Sequence, residues 1–375
     1  MKYKALVTGG AGFVGSYIVD ELIKKGHDVR ILDNIEYQVH KGKIPDYLNK
    51  NAEYMFGDVL NRETLKKALE DVDVVFHEAA MVGVGQSMYD IARYVNVNTY
   101  GTALLLDTIV NGNYNLKKLL VASSMSIYGE GKYNCDDCGD VYPSLRKDED
   151  MKKGEWEQKC PNCGKIVIPK PTDEEKPLIS TSTYAQTKKH QEEMVLLTGK
   201  VYGIPSVALR YFNIFGPRQS LNNPYTGVCA IFSSRIKNNN SPVVYEDGNQ
   251  ARDFIHVKDI ARANIMAMEN KSADYGYFNV GTGNKKSILD IAEILINLYS
   301  RELKPEVTGQ FRPGDIRHCY ADITKIKEKI GFEPEHTFEK GMKELIEWAE
   351  KQEAKDEFEK VQKELKERGL ISEEQ

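Results

Sequence analysis

The first half of the chain alternates short apolar runs with longer amphipathic runs, and this alternation constrains the fold most strongly. KALVT, DVRILD, DVVFH and LKKLLVASS have the pattern of buried strands, and FVGSYIVDELIKK has that of a helix. Strands that alternate with helices form parallel βαβ units. The sequence therefore predicts an α/β fold built on a doubly wound parallel sheet.

The composition is that of a soluble globular enzyme. The chain has 375 residues, 41% hydrophobic and 29% charged, which suffices for two or three domains with a sizeable core. The net charge of -5 argues against nucleic acid or an anionic membrane as a partner. No run of about 18 apolar residues occurs, and the opening MKYKALVTGG lacks a signal-peptide pattern. We therefore expect a cytoplasmic protein.

Changes in this pattern predict the domain organisation. The alternation identifies the main domain, and a segment rich in Cys, Asp, Lys and Pro interrupts it. A less regular region follows, and the chain then becomes highly charged. The predicted units are a main domain of residues 1–133 and 168–215 with a further segment near 250–275, an insertion of residues 134–167, a smaller α/β domain of residues 216–250 and 276–345, and a charged, solvated helical tail of residues 346–375.

A glycine-rich turn follows the first strand. In VTGGAGFVG, Gly9, Gly12 and Gly15 stand between a strand and a helix, where glycines allow close backbone approach and the helix N-terminus binds a pyrophosphate. Asp33 lies 33 − 15 = 18 residues beyond the last glycine, where a carboxylate accepts the ribose hydroxyls of NAD. Asp58 is expected either to reach the adenine or to cap a helix. The other residues of this predicted NAD site are Phe13, Val14, Asn34 and Val59.

A tyrosine and a lysine stand four residues apart in STYAQTKKH. Tyr184 and Lys188 would share one face of a helix. A nearby ammonium lowers the pKa of a phenol, so the tyrosine could act as a base near neutral pH. An ordinary surface pair would give the same spacing. The dinucleotide site and Ser124, at the end of the fifth strand, favour the catalytic interpretation.

Together these motifs resemble those of the extended short-chain dehydrogenase/reductases, specifically the NAD-dependent nucleotide-sugar epimerase/dehydratase family typified by UDP-galactose 4-epimerase. The resemblance covers residues 1–345 apart from the insertion. The matching blocks are TGGAGFVG, GDV, HEAA, SSMSIYG, YAQTK, RYFNIFGPRQ, ARDFIHVKD, NVGTG and RPGDIRH. The resemblance implies a Rossmann domain that binds NAD and a smaller domain that binds a nucleotide-diphosphate sugar.

The resemblance also implies a role for each site residue. Ser124 would hydrogen-bond the sugar and Tyr184, Tyr184 would be the base, and Lys188 would hold the nicotinamide ribose. The residues expected to bind substrate are Ser126, Asn213, Arg252, Arg312 and Asp315, and those expected to line the cofactor channel are Ala79, Ala80 and Asn98.

A purely structural role is also considered for three residues. Arg252 could instead form an ion pair with Asp253 or Asp259. His77 and His256 lack a ligand-spaced partner, and we expect both to be packed structural histidines.

The implied reaction is epimerisation at carbon 4 of the sugar through a transient ketose, with NAD retained. The family's 4,6-dehydratases carry an Asp–Glu pair, and its decarboxylases a Glu, where this chain has Met125 and Ser126. A dehydratase or ketoreductase is therefore the weaker alternative, and an NAD-binding regulatory protein is the non-enzyme alternative. SSMSIYGEG resembles the subgroup with dTDP-L-rhamnose 4-epimerases. UDP-glucose, UDP-galactose and UDP-N-acetylhexosamines stay open as substrates.

The insertion carries two C-x-x-C-G pairs. Cys135 and Cys138 precede Cys160 and Cys163 by 160 − 138 − 1 = 21 residues, which matches a structural zinc ribbon with no open coordination position. A rubredoxin-like iron site and a redox dithiol pair are the alternatives. We expect a lid or wall over the sugar end of the cleft, or an oligomer contact. Mixed charge argues against nucleic-acid binding.

The resemblance further implies a homodimer. In the family the helix that carries Tyr184 and the helix after Asn98 form the dimer contact. Leu104, Leu105 and Leu106 are compatible with this contact and equally with core packing.

Overall fold

The computed structural model describes residues 2–372. Its strands are β1 (Lys4–Thr8), β2 (Asp28–Asp33), β3 (Glu53–Phe56), β4 (Val74–His77), β5 (Lys118–Ser124), β6 (Lys132–Cys135), β7 (Gly139–Val141), β8 (Ile168–Lys170), β9 (Ser206–Tyr211), β10 (Asn213–Phe215), β11 (Val243–Val244), β12 (Ala251–His256), β13 (Gly276–Val280), β14 (Lys285–Ser287), β15 (Glu306–Val307) and β16 (His318–Cys319).

Its α-helices are α1 (Phe13–Lys24), α2 (Tyr37–His40), α3 (Arg62–Ala68), α4 (Val84–Ser87), α5 (Ile91–Tyr94), α6 (Gly101–Asn111), α7 (Asp148–Met151), α8 (Thr183–Tyr202), α9 (Val228–Lys237), α10 (Val257–Glu269), α11 (Ile288–Leu298), α12 (Thr324–Ile330), α13 (Phe338–Ala349) and α14 (Phe358–Glu367). A π-helix, Val95–Tyr100, joins α5 to α6, and 3₁₀ turns form at Met125–Tyr128 and Lys271–Ala273. Among these helices none combines the length and the hydropathy needed to cross a bilayer.

The main sheet has seven strands in the order β13-β9-β5-β4-β1-β2-β3, and every neighbouring pair is parallel. The predicted doubly wound parallel sheet is confirmed. The strand order reverses between β1 and β4, and ligands of such sheets bind in the crevice at the carboxyl ends of the strands there. Strand β13 was assigned from the sequence to the smaller domain, and that assignment is wrong because β13 pairs with β9.

A second sheet lies beyond the main one, with β12 between β10 and β14 and with β16 pairing along β12. Its core contains Phe215, Phe232, Phe254, Leu295 and Leu345, which come from the sheet and from α9, α11 and α13. Helix α10 follows β12 but contributes to the same core as α1 and the main sheet. Two regions of the chain thus face each other across the crevice.

The insertion forms a small antiparallel sheet with β6 between β7 and β8. Tyr133, Cys135, Val141, Cys160 and Val167 form its core. Lys132 pairs with Lys170, so the chain leaves and re-enters the main body at neighbouring positions.

The predicted tail is not a freely solvated helix. Phe358, Val361 and Leu365 of α14 are buried, and Val361 and Leu365 pack against Tyr89, Tyr225 and Tyr245. Because charged residues dominate the sequence of α14, its apolar face was not recognised from the sequence. Residues 373–375 of the predicted tail lie outside the described residues.

Candidate functional site

A cavity of about 660 Å³ lies at the crevice between the two regions. It collects nearly all the predicted site residues. Those that line it are Gly9, Gly12, Phe13, Val14, Gly15, Asp33, Asn34, Asp58, Val59, Ala79, Ala80, Ser124, Ser126, Tyr184, Lys188, Asn213, Arg252, Arg312 and Asp315.

The glycine turn has the close backbone contacts that require glycine. A Cβ on Gly15 would lie 2.3 Å from the Gly9 carbonyl oxygen, and one on Gly9, whose φ is +70°, would lie 2.8 Å from the Ala79 nitrogen. Helix α1 begins directly after Gly12 without a side-chain cap. Its first N–H groups therefore suit an anion such as a pyrophosphate.

Asp33 and Asp58 stand at the ends of β2 and β3. The Asp33 carboxylate accepts hydrogen bonds from the Ala11 and Ile35 backbone nitrogens at 3.0 and 2.8 Å. Burial raises its pKa, and these two bonds oppose the rise. Asp58 accepts from the Asn34 side chain at 2.9 Å. The alternative of Asp58 as a helix cap is wrong, because Asn61 caps α3.

Tyr184 lies in the first turn of α8. Ser182 caps this helix by accepting a hydrogen bond from the Ala185 nitrogen at 3.1 Å. Burial raises the pKa of Tyr184 to about 12, and a hydrogen bond with Ser124 opposes this rise. Ser126 donates its hydroxyl to Ser124 Oγ at 2.9 Å. The serine at the end of β5 thus meets the tyrosine, as the resemblance implies.

Lys188 lies one turn after Tyr184. Its ammonium donates to the Ala122 carbonyl at 2.8 Å. Burial lowers its pKa to about 8, and the charge of Glu78 opposes this change. We expected Lys188 to lower the pKa of Tyr184, but in the structure desolvation is the larger effect on the phenol.

Tyr211 and Glu78 also line the cavity and were not identified from the sequence. Tyr211 donates its hydroxyl to Glu78 Oε1 at 3.0 Å and accepts a hydrogen bond from Asn264 at 2.7 Å. Burial raises the pKa of Glu78 to about 7. The HEAA block contained the available signal, a carboxylate directly before the two predicted alanines.

Asn98 does not line the cavity. Its side chain is fully buried, accepts from the Met81 nitrogen at 2.7 Å and donates to the Met81 carbonyl at 3.0 Å. Asn98 at the cofactor channel therefore stays a prediction. Asn98 fixes the backbone of the loop after β4, and that loop lines the cavity.

Arg252, Arg312 and Asn213 lie at the other end of the cavity. Arg252 donates to the carbonyls of Ile316 and Arg317 at 2.7 and 2.8 Å, and its carboxylate neighbour is Asp315 at 3.8 Å. Arg312 lies 4.6 Å from the centre of the Tyr245 ring. Within residues 2–372, Arg312 Nε and Asn213 Oδ1 are buried without a hydrogen-bond partner. Such groups suit a polar ligand.

The predicted ion pairs of Arg252 with Asp253 or Asp259 do not form. The Asp253 carboxylate accepts hydrogen bonds from the Thr282 and Gly283 nitrogens. The Asp259 carboxylate pairs with Arg262 at 3.3 Å. Both aspartates are therefore occupied elsewhere, and Arg252 stays on the cavity wall.

His77 and His256 are packed, as predicted. The two ring nitrogens of His77 each lie 2.8 Å from a threonine hydroxyl. His256 stacks on His336 with ring centres 4.6 Å apart. Burial lowers the pKa of His77 to about 3 and that of His256 to about 4.

The four paired cysteines converge. Their sulfur atoms all lie within 4.8 Å of one another, and those of Cys135 and Cys163 are 3.5 Å apart. Thiolates about 2.3 Å from a tetrahedral metal are about 3.8 Å from each other. The cluster therefore fits four-thiolate coordination, as the spacing predicts.

The cavity wall differs from the expected one. Of the described residues that line it, none lies between Ser126 and Thr181, so the insertion does not form a wall of this cavity. Helix α14 lines the cavity, although the sequence did not predict this. Its contributions are Phe358, Val361, Gln362 and Leu365.

Comparison with known proteins gives consistent matches. Residues 5–146 match the model of the NAD dependent epimerase/dehydratase family, and residues 164–345 match that of GDP-mannose 4,6 dehydratase. A dTDP-L-rhamnose 4-epimerase of Burkholderia thailandensis is 34% identical over 92% of this chain and 94% of its own length.

Two solved structures extend the comparison. The UDP-glucose 4-epimerase of Thermotoga maritima, solved with UDP-glucose, has a TM-score of 0.77 and 30% identity over 93% of this chain and 99% of its own. The UDP-N-acetylglucosamine 4-epimerase of Methanobrevibacter ruminantium has a TM-score of 0.75 and 35% identity over 93% and 98% of the two chains.

Proposed function

Because the chain belongs to the NAD-dependent epimerase/dehydratase family, we propose that it is a nucleotide-sugar 4-epimerase. The observation that carries this proposal is the meeting of Ser124, Tyr184 and Lys188 in one cavity with the glycine turn. Proton transfer and dinucleotide binding therefore share one site. Inversion would proceed through a transient 4-keto sugar.

The residues of the cavity fit NAD at the main sheet. The glycine turn and the N-terminus of α1 would hold the pyrophosphate, and Asp33 would bind a ribose. When bound, NAD supplies a hydride acceptor and donor. Tyr184 would remove the proton of the sugar hydroxyl, Ser124 would orient that hydroxyl, and Lys188 would hold the nicotinamide ribose.

The opposite end of the cavity fits a nucleotide diphosphate. Asn213 and Arg252 would bind the diphosphate, and Arg312 and Asp315 the phosphate and nucleotide ribose. The unpartnered buried atoms of Asn213 and Arg312 support this assignment. Relatives named for dTDP-L-rhamnose and structures named for UDP sugars make these the substrate candidates.

A dehydratase or ketoreductase is the second candidate. Glu78 is a cavity carboxylate with a pKa raised to about 7, and such a group can transfer protons near neutral pH. The position after Ser124, however, holds Met125 rather than a carboxylic acid. The absence of a carboxylic acid at this position favours epimerisation.

Proton NMR of the purified protein with separate nucleotide sugars, without added NAD, tests the proposal. The panel contains dTDP-L-rhamnose, UDP-glucose, UDP-galactose and UDP-N-acetylglucosamine. We expect one sugar to reach an equilibrium mixture with its carbon-4 epimer. Loss of water, or reaction only with added reduced cofactor, would support the second candidate instead.

For the insertion, we propose that Cys135, Cys138, Cys160 and Cys163 hold a structural zinc ion. Elemental analysis should give one zinc per chain, lost in a Cys163→Ser variant and kept in Cys229→Ser, whose cysteine is buried elsewhere. Iron, with the visible absorbance of a ferric thiolate site, would contradict zinc. A cluster without metal would support the dithiol alternative.

We also propose a homodimer through α8 and the neighbouring π-helix. Leu104, Leu105 and Leu106 do not form this contact, because they are buried in the core of the chain itself. The exposed apolar side chains on these helices include Tyr100, Leu197 and Val201, which are 52%, 65% and 67% exposed. Exposed apolar residues on adjacent helices favour an interface.

A further inference from the structure

The insertion is joined to the cavity by buried ion pairs, although it does not line the cavity. We propose that it positions the loop of residues 312–317, here called the 312–317 loop, and that Arg146 is the main positioning residue. This inference rests on the proposed function, because the loop carries Arg312 and Asp315. It gives the insertion a role in nucleotide affinity rather than in proton transfer.

Arg146 makes the central contact. Its guanidinium donates to both oxygens of Glu246 at 2.8 Å each, and the side chains of this pair are only 3% and 2% exposed. The same guanidinium donates to the Asp315 carbonyl at 3.2 Å. A bidentate buried pair has a defined geometry. Arg146 therefore fixes the backbone of the 312–317 loop at Asp315.

Glu157 makes a second contact at the end of the loop. It accepts two hydrogen bonds from Arg317, at 3.1 and 2.6 Å. Arg317 is fully buried and also binds Glu246 and Asp247. Glu246 thus joins the arginine of the insertion to the arginine of the loop.

The insertion segment that makes these contacts runs into the cysteine cluster. The Trp156 carbonyl accepts a hydrogen bond from Arg146 at 3.2 Å, and Gln158 donates to Glu130 at 2.8 Å. Glu130 in turn accepts from the backbone nitrogen of Arg317 at 2.9 Å. Cys160 lies two residues after Gln158 in the chain. The cluster therefore anchors the segment that holds the loop.

The 312–317 loop connects the insertion contacts to the cavity. Arg252 is held by the Ile316 and Arg317 carbonyls, and Arg252, Arg312 and Asp315 all line the cavity. Ser124, Tyr184 and Lys188 have no such contact with Arg146 or Glu157 among the described hydrogen bonds. Loss of the insertion contacts should therefore weaken nucleotide binding and leave proton transfer intact.

The test compares an Arg146→Met variant with the parent protein. Calorimetry measures the Kd of dTDP and of UDP, NMR measures KM and kcat for the converted sugar, and absorbance measures bound NAD. We expect Kd and KM to rise about tenfold, with kcat within about twofold and NAD unchanged, the pattern of a lost binding interaction. A merely structural defect would lower kcat and NAD content as well.

A Lys170→Met variant is the matched control, because Lys170, on the neighbouring strand β8, forms an exposed ion pair with Asp140 of the insertion and should change none of these values. If Arg146→Met does not fold, Glu157→Gln replaces it, since Glu157 is 39% exposed and Arg317 keeps its other partners. Parent-like Kd and KM in a folded variant would overturn the inference.

The nucleotide titrations separate this inference from the proposed function. If the parent converts no sugar but binds dTDP or UDP, and the variant binds it about tenfold more weakly, the inference stands and the proposed function fails. If the parent converts a sugar and the variant binds nucleotide equally well, the inference fails alone. A parent that binds neither nucleotide would overturn both.

Discussion

Burial governs the ionisation of Tyr184 and Lys188, the proposed reacting side chains. It raises the pKa of Tyr184 to about 12 and lowers that of Lys188 to about 8, so each group is shifted toward its neutral form. A tyrosine in this state becomes a base only when a positive charge approaches its hydroxyl. An oxidised nicotinamide carries such a charge, and the cavity places Tyr184 beside the predicted NAD site.

A Tyr184→Phe variant removes the proposed base. We expect the epimerisation rate, measured by NMR, to fall about 10²- to 10⁴-fold, the usual contribution of a general base, while bound NAD stays unchanged. Tyr94→Phe is the control, because its ring lies 6.5 Å from that of Tyr184 and its hydroxyl donates to Gln86. Equal rates in both variants would contradict the assignment.

His256 should make the fold sensitive to acid. Burial lowers its pKa to about 4 from an ordinary 6.5. Between these values the unfolded chain binds a proton that the folded chain does not. The stability conferred by the neutral ring is therefore complete above about pH 6.5 and is lost as the pH falls toward about 4.

A His256→Asn variant tests this, because asparagine can keep the N-cap of α10 that His256 provides. Urea unfolding at pH 7.5 and pH 5 measures the free energy of unfolding. From pH 7.5 to pH 5 the free energy of unfolding should decrease by about 2 kcal/mol less in the variant than in the parent. This value follows from about 1.4 kcal/mol for each pH unit below the ordinary pKa of histidine. Equal decreases in both proteins would contradict the prediction.

At the scale of elements, local patterns could predict much of the main sheet. Strands β1 and β2 and helices α1 and α8 have apolar patterns that depend only on neighbouring residues, and the glycine and Y-x-x-x-K motifs lie at their ends. The rest depends on contacts distant in sequence. Arg146 and Glu246 are 100 residues apart, and no local pattern connects them.

Helix α14 is a second feature that could not be predicted from local sequence patterns. Its sequence is dominated by charge, and its apolar face became recognisable only against Tyr89 and Tyr225. Tyr225 donates to Glu364 at 3.3 Å, and Arg368 lies 4.2 Å from the centre of the Tyr89 ring. Helix α14 and the residue after it therefore contact two segments of the chain that are distant in sequence, and Tyr225 of one segment lines the cavity.

A Leu365→Asp variant should open this wall. Leu365 is 4% exposed, and burying a leucine contributes about 2 kcal/mol, so a carboxylate there should displace α14. We expect KM for the nucleotide sugar to rise about fivefold or more. Lys363→Asp changes the exposed face of the same helix and should keep the parental KM. An unchanged KM in both variants would show that α14 does not contribute to the substrate site.

At the scale of the whole molecule, the proposed homodimer predicts that a charge in its interface will dissociate it. Leu197→Glu places a charge on the exposed apolar face of α8 and should convert a dimer to a monomer in sedimentation velocity. Ile166→Glu is the comparison variant, because Ile166 is equally exposed, at 68%, but lies on the insertion. A monomer from this variant alone would instead support the insertion as the oligomer contact. A parent protein that sediments as a monomer would contradict the dimer.

The pairing of Lys132 with Lys170 has a consequence for how the protein withstands proteolysis. Residues 152–155 are exposed on the insertion, whereas the strands on either side of it are paired with each other. A protease that cuts there would produce two polypeptides, one that carries Ser124 and ends within residues 152–155 and one that carries Tyr184. The β5–β9 pairing joins these fragments, so the nicked protein should still behave as one particle, with the serine and the tyrosine that we propose as catalytic on separate chains.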